Sequence, residues 1–215
     1  MNMTLSDHDR NRLNALVTEV EKRTNTQIVL AIIQRSDNYA ELPWKAFALG
    51  ASFTSLFVFF LDLLFYDWYP RITLPTALAG ILCSGVFFAL LTVLLPDFAK
   101  RFLSVIRAEV EVKQYADSLF LSRELFATSN RKGILMLVSL FERKVVILPD
   151  KGLIDQLPGD ALQSIITAMT LFLKQNEISR AFETGLEQLS QILGTNVQEP
   201  GENELSDEII EEKGV

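Results

Sequence analysis

The chain has 215 residues, a formal net charge of -7, one histidine and one cysteine. A single cysteine excludes an intramolecular disulfide, and a single histidine leaves little material for a zinc site or for histidine-based catalysis. Residues 195–215 hold seven acidic residues against Lys213, so they carry most of the negative charge. The rest of the chain is close to neutral, and nothing in it indicates an electrostatic surface for nucleic acid.

The first 43 residues predict a helix followed by a strand. Ser6 can cap a helix that ends near Arg23, and apolar residues recur along it with a period of 3.6, at Leu13, Leu16, Val17 and Val20. Residues 28–33 then form an unbroken apolar run. A short run of this kind is typical of a strand that is buried on both faces, so we predict a strand over residues 27–34.

Two long apolar runs follow, at residues 46–66 and 74–95. At 1.5 Å per residue each run spans roughly 30 Å, which is the thickness of the hydrocarbon core of a bilayer. The first run contains one charged residue, Asp62, and the second contains none. With only residues 67–73 between them, the runs predict a transmembrane helical hairpin over residues 44–96.

Aromatic and basic residues near the runs predict the orientation. Trp44, Tyr66, Trp68 and Tyr69 flank the first run, as aromatic rings do at membrane interfaces. Five Lys and Arg residues close to the runs lie outside the connecting loop, whereas Arg71 alone lies within it. The positive-inside rule therefore predicts that both termini and the soluble domain are cytoplasmic, and we expect no cleavable signal peptide.

The region after the hairpin completes the predicted fold. We expect a helix over residues 108–127, strands over 134–140 and 144–148, and two further helices capped by Asp160 and Ser179. Residues 1–43 and 97–194 together predict one α/β domain, a three-layer αβα sandwich with a small, mostly buried sheet. Residues 195–215, acidic and poor in apolar residues, predict a disordered tail.

Three segments resemble the TPM domain family. Residues 20–28 are similar to the family pattern I-E-x-x-T-x-x-x-I, with Val20 in the first position. Residues 133–145 are similar to G-V-L-L-L-V-S-x-x-E-R-x-V, and residues 150–153 are similar to D-x-G-I. Together with the predicted hairpin, the resemblance implies a membrane-anchored variant of this family, with the transmembrane hairpin inserted into the domain.

The resemblance implies several activities. Family members include a thylakoid protein linked to photosystem II repair and modulators of acetylcholine receptors; the family name carries a phosphatase role, and some members bind calcium. The matching metal-binding candidates are Asp150 and Glu142, with calcium or magnesium as the cation. Glu21, Asp155 and Asp160 are weaker candidates, and the anion-binding candidates are Arg131, Arg143, Lys144 and Lys151.

Simpler roles compete with each of these assignments. Glu142 can form a salt bridge with Arg143 or Lys144 at a hairpin turn, and Asp150 can cap a turn. No aspartyl-phosphatase pair or glycine-rich phosphate loop is evident in the sequence. Asp62 lies close to the expected membrane interface, where a single acid makes a poor ion pathway.

The sequence therefore favours a membrane-anchored protein-interaction module that acts as an accessory in the assembly, repair or quality control of membrane complexes, with a protein partner or a second copy of the chain. A metal-dependent phosphatase at the membrane surface is the alternative. An oligomeric transport component is a weaker third reading, because two helices enclose no pore unless several copies assemble.

Overall fold

The computed structural model describes residues 5–64, 74–128, 130–194 and 209–214. The chain divides into two compact units, a helical unit of residues 38–105 and an α/β unit of residues 1–37 and 106–215. The α/β unit contains helices and strands in the order α1 (Asp7–Thr24), β1 (Gln27–Arg35), α5 (Val105–Ser122, which begins one residue before the unit), β2 (Gly133–Ser139), β3 (Lys144–Pro149), α6 (Gly159–Lys174), α7 (Ile178–Leu193) and β4 (Ile210–Gly214).

The four strands form one mixed sheet in the order β3-β2-β1-β4. Strand β1 is central and pairs in parallel with β2 on one edge and with β4 on the other. Strand β3 pairs antiparallel with β2, to which a tight turn joins it. The helical unit is therefore inserted between two neighbouring strands of the same sheet.

The apolar run of β1 is buried on both faces, as predicted. Ile28, Leu30 and Ile32 face the core formed with α1, α6 and α7, whereas Val29, Ala31 and Ile33 face the core formed with α5. Successive side chains of a strand point to opposite faces, so each face needs its own cover of helices. The α/β class and the three-layer arrangement predicted from sequence are confirmed.

The helical unit consists of α2 (Glu41–Leu64), α3 (Leu74–Leu94) and the short α4 (Pro96–Ala99), followed by a 3₁₀ turn. Helices α2 and α3 pack closely, since Gly50 approaches Phe88 and Gly85 approaches Phe47. Lys45 near the start of α2 donates a hydrogen bond to the carbonyl of Phe102, which follows α3, so the two helices run antiparallel. A side chain added at Gly85 would lie 2.6 Å from the Phe47 ring. Both helices are long and apolar enough to cross a membrane.

Strand β4 contradicts the prediction that residues 195–215 form a disordered tail. Residues 210–214 pair in parallel with β1, and Ile209 is buried with 4% exposure. An extended segment gains main-chain hydrogen bonds at an open sheet edge whatever its composition, and a composition-based prediction does not take this gain into account. Residues 195–208 lie outside the described residues.

Several predicted helix boundaries also shift. The predicted helix over residues 108–127 is divided into α5, which ends at Ser122, and a 3₁₀ turn at Leu125–Ala127. Helix α6 begins at Gly159, so Asp160 lies within its first turn and does not cap it, and α7 begins before Ser179. The observed N-caps, Pro158 and Glu177, each lie two residues before the predicted capping residue.

The packing of α7 on the sheet predicts a large effect for Phe182→Ala. Phe182 is fully buried in the core shared with α1 and α6. Removing its ring should lower the free energy of unfolding by about 3–5 kcal/mol, because the surrounding side chains cannot close the cavity. Leu171→Ala on α6, where the side chain is 57% exposed, is the control and should change stability by at most about 0.5 kcal/mol. Denaturant unfolding of the full chain in detergent measures both, and equal effects would contradict the assignment of Phe182 to the core.

Candidate functional site

Asp150 lies at the end of β3, beside the first residue of β2, and is 4% exposed. Its two carboxylate oxygens accept hydrogen bonds from Nε and Nη2 of Arg131 at 2.6 and 2.8 Å. The backbone N–H of Lys151 donates a third bond at 2.7 Å, so Asp150 caps the 3₁₀ turn Lys151–Leu153. The predicted capping role is confirmed, and a bidentate ion pair accompanies it.

The local backbone explains why glycine follows Asp150 by two residues. The N–H of Gly152 donates to the carbonyl of Arg131 at 2.9 Å, and a side chain at position 152 would lie 2.4 Å from the carbonyl oxygen of Asn130. Arg131 itself has a left-handed conformation, with φ of 54°. The hydrogen bond from Arg131, more than any other contact, holds the pKa of Asp150 below its usual value.

Glu142 lies at the opposite end of β3, in the turn that follows β2, and is 9% exposed. Its Oε1 accepts bonds from the backbone N–H and the hydroxyl of Ser36 at 3.0 and 2.7 Å, and its Oε2 accepts a bond from the Ser139 hydroxyl. The carboxylate therefore joins the carboxyl ends of β1 and β2. Lys144, which with Arg143 was a predicted salt-bridge partner of Glu142, pairs with Glu109 at 2.6 Å.

The two metal-binding candidates are not brought together. Glu142 precedes β3 and Asp150 follows it, so the six residues of the strand separate them by roughly 20 Å. Calcium needs six to eight oxygen ligands that converge on one point. Among the described residues no group of three or more Asp, Glu, His or Cys side chains could hold an ion. The residues present do not fit a calcium site formed by Asp150 and Glu142 together.

The predicted anion-binding cations are likewise divided between the two ends of β3. Arg131 and Lys151 lie near Asp150, and Arg131 is committed to that carboxylate. Arg143 and Lys144 lie in and after the turn at the other end, where Arg143 has a φ of 51°. These four residues therefore do not form one phosphate cradle.

The remaining predicted residues have separate positions. Oε1 of Glu21, at the end of α1, accepts a bond of 2.6 Å from the backbone N–H of Ile28 and so fixes the start of β1. Asp155 and Asp160 are exposed. Trp44 lies in the first turn of α2 and is 71% exposed. The predicted interface residues Tyr66, Trp68 and Tyr69 lie outside the described residues.

Sequence reasoning missed a polar cluster around β4. Glu212 accepts a bond of 2.5 Å from the Tyr115 hydroxyl and pairs with Arg123 at 3.2 Å, while Glu211 pairs with Arg10 at 2.7 Å. The sequence feature that could have indicated β4 is the pair of aliphatic residues at positions 209 and 210, within an otherwise acidic segment. A pair of aliphatic residues that alternate between two faces is a weak strand pattern.

The environment of Tyr115 shows that this cluster is partly shielded from water. Burial, together with the hydrogen bond to Glu212 and the negative charge of that residue, raises the pKa of Tyr115 to about 12, although the charge of Arg123 opposes the rise. A cavity of about 290 Å³ lies beside the cluster and is lined by Tyr115, Ser118, Leu119, Ser122, Arg123 and Glu212. Tyr115 therefore remains a neutral hydrogen-bond donor at physiological pH.

The ion pair of Asp150 predicts a pH-dependent contribution to stability. Asp150→Asn should lower the free energy of unfolding at pH 7 by about 1–2 kcal/mol, because the charge-assisted bonds from Arg131 are lost. A carboxyl group whose pKa is lowered by folding stabilises the protein above its ordinary pKa of 3.8, and this contribution decreases as the pH falls below that value. The difference between wild type and variant should therefore be constant from pH 7 to about 5 and shrink below pH 4.

The measurement is denaturant unfolding as a function of pH, with the exposed Asp155→Asn as the matched control. The control should differ little from the wild type at any pH. A difference between Asp150→Asn and the wild type that grows on acidification would contradict the assigned ion pair.

Comparison with known proteins agrees with this architecture. A family model described as the TPM domain matches residues 98–192, which include α5, β2, β3, α6 and nearly all of α7. The NMR structure of the BA42 protein from the psychrophilic bacterium Bizionia argentinensis is similar, with a TM-score of 0.58 and 15% identity over 98% of this chain and 97% of that chain. At this identity the similarity indicates a shared fold. No curated protein matches the sequence. Residues 98–192 of this chain are therefore similar to the TPM domain.

Proposed function

We propose that this protein is a membrane-anchored TPM module that binds another protein and serves as an accessory in the assembly, repair or quality control of membrane complexes. One observation supports the membrane anchoring: α2 and α3 present their apolar side chains outward. In their most apolar stretches 6% and 11% of residues are buried. A core helix of a soluble protein would have most of its apolar residues buried, whereas a helix that faces lipid would not.

The exposed residues of the two helices are large and apolar. Phe53 is 71% exposed, Phe57 is 57% exposed and Leu64 is 70% exposed on α2, and Val93 on α3 is 68% exposed. The contact between α2 and α3 instead involves small residues, Gly50 and Gly85, which allow a close approach. Small residues at the contact and large residues outside are typical of helix pairs in membranes.

The sheet supports a hairpin that enters and leaves on one side of the membrane. Strand β1 precedes the two helices and β2 follows them, and these strands pair along their length. Two helices that cross the bilayer as an antiparallel pair return the chain to the side from which it started. The excess of Lys and Arg outside the connecting loop favours the cytoplasmic side for the α/β unit.

The outer face of α5 supports the protein-binding part of the proposal. Ile106, Val110 and Leu121 recur on one side of this helix and are 74%, 47% and 63% exposed. The opposite side packs against the sheet through Val112 and Ala116. Exposed apolar residues in register on one helix face are a common feature of protein interaction sites.

Membrane anchoring predicts resistance to alkaline extraction and a defined labelling pattern. After sodium carbonate treatment of isolated membranes the protein should remain in the pellet. In a Cys83→Ser background, an impermeant maleimide should label Arg71→Cys in intact cells and Lys151→Cys only after the cells are opened. Release into the carbonate supernatant would contradict anchoring; labelling of Lys151→Cys in intact cells would contradict the orientation alone.

Partner binding through α5 predicts a position-dependent crosslink. A photoreactive amino acid in place of Val110 should give a discrete adduct in native membranes, and Leu121→Glu in the same chain should reduce its yield severalfold. The same photoreactive group in place of Gln163, which is exposed on α6, is the control and should give no such adduct. Equal adducts from both positions would contradict a specific surface.

Experiments on the purified protein can distinguish the proposed binding module from a metal-dependent enzyme. Calcium, magnesium and manganese can be titrated calorimetrically in parallel with a phosphate-ester hydrolysis assay, for the wild type, Asp150→Ala and Glu142→Ala. Saturable metal binding and turnover that are lost together in both variants would overturn the interaction module in favour of a metal-dependent enzyme.

A further inference from the structure

The outer edge of β1 is occupied by the C-terminal end of the same chain. Ala31, Ile32 and Ile33 pair with residues 210, 211 and 212 of β4, and Arg35 pairs with Gly214. Gly214 has φ of 75°, and a side chain there would lie 1.6 Å from the carbonyl oxygen of Arg35. The edge therefore binds an extended peptide in parallel register and needs glycine at its end.

Each face of β4 has an aliphatic residue followed by an acidic one. Ile209 lies in the core on the α1 side, and on that side Glu211 pairs with Arg10. Ile210 packs on the α5 side, where Glu212 meets Tyr115 and Arg123. The residues that bind β4 thus specify the order aliphatic, aliphatic, acidic, acidic.

The contacts that hold β4 against β1 are of a kind that another peptide could replace. The strand has five residues and pairs with β1 alone among the described strands. Its ion pairs are partly exposed: the side chains of Arg10 and Glu211 are 37% and 20% exposed, and those of Arg123 and Glu212 are 49% and 36% exposed. Edge strands of this kind open locally at a lower free energy than the central strands of a sheet.

We propose that this edge is a recognition groove for an extended acidic peptide, and that β4 is its intramolecular occupant. The groove consists of the outer edge of β1, on which β4 now lies, flanked by Arg10 on α1 and by Tyr115 and Arg123 on α5. Its ligand is a segment of another protein with two aliphatic residues followed by two acids, which adds to the sheet by β-augmentation. Such a ligand gains access when it displaces β4, so the C-terminal strand also limits binding.

The test uses the full chain with Glu211→Lys and Glu212→Lys, which weakens the intramolecular strand and leaves the groove intact. A fluorescent peptide with the sequence of residues 206–215 is titrated into this variant in detergent and followed by anisotropy. We expect saturable binding about tenfold tighter than that of a peptide carrying the same two charge reversals, since two partly exposed ion pairs are replaced by repulsions. The unmodified chain should bind the acidic peptide more weakly, because its own strand competes.

Hydrogen exchange at β2 confirms that the variant retains its sheet. Equal binding of the two peptides, or no saturable binding by a folded variant, would overturn the proposal. A second test uses a chain with Arg10→Glu and Glu211→Lys, in which the charges of the ion pair between positions 10 and 211 are exchanged and the pair is kept. In it a peptide carrying Glu211→Lys alone should displace β4 better than the acidic peptide does, and an unchanged preference would equally overturn the proposal.

Discussion

The pairing of β1 on both edges is the constraint on which the rest of the structure depends. Its side chains enter two separate cores, and its neighbours β2 and β4 both come from the part of the chain that follows the helical unit. Any segment inserted after β1 must bring the chain back to within hydrogen-bonding distance of that strand. An antiparallel pair of helices satisfies this requirement whatever its length, because its two ends lie close together.

The family-like motifs acquire a physical explanation from the structure. Ser139 and Glu142, separated by three positions, join the ends of β1 and β2 through Ser36, and Asp150 and Gly152 attach the end of β3 to the segment at Arg131. The acids of the motifs thus accept hydrogen bonds at opposite ends of the sheet, Glu142 from buried serines and Asp150 from the partly exposed Arg131. Because Glu142 and Asp150 are close in sequence, a shared site could be predicted for them. They lie at opposite ends of an extended strand, however, and are therefore far apart.

The sequence allowed the main elements to be predicted because their signals are local. The apolar runs of β1, β2 and the two long helices, and the 3.6-residue period of α1 and α7, depend on neighbours within a few turns of chain. The starts of α6 and α7 differ from the predicted ones because their N-cap residues, Pro158 and Glu177, form no side-chain capping bond and so leave no capping signal in the sequence. The contact of Glu142 with Ser36 could not be predicted in this way, because the two residues are separated by more than one hundred positions.

Strand β4 was not predicted because its stability comes from distant residues. Its composition is that of a solvated segment, but Arg10, Tyr115 and Arg123 supply a donor or a positive charge where each acid falls. The same acids would repel one another in an isolated peptide. A charge pattern therefore has to be interpreted together with the surface that it meets, which one sequence alone does not identify.

The order of the strands along the chain has a consequence for biosynthesis. Of the strands, β1 is made first, and its two neighbours emerge only after the whole helical unit, β4 after α6 and α7 as well. During translation β1 is therefore an apolar, β-branched segment with both edges open, which is the kind of segment that aggregates. A chaperone bound to the nascent chain, or prompt insertion of the helices at a membrane, would protect it until β2 and β4 have been made.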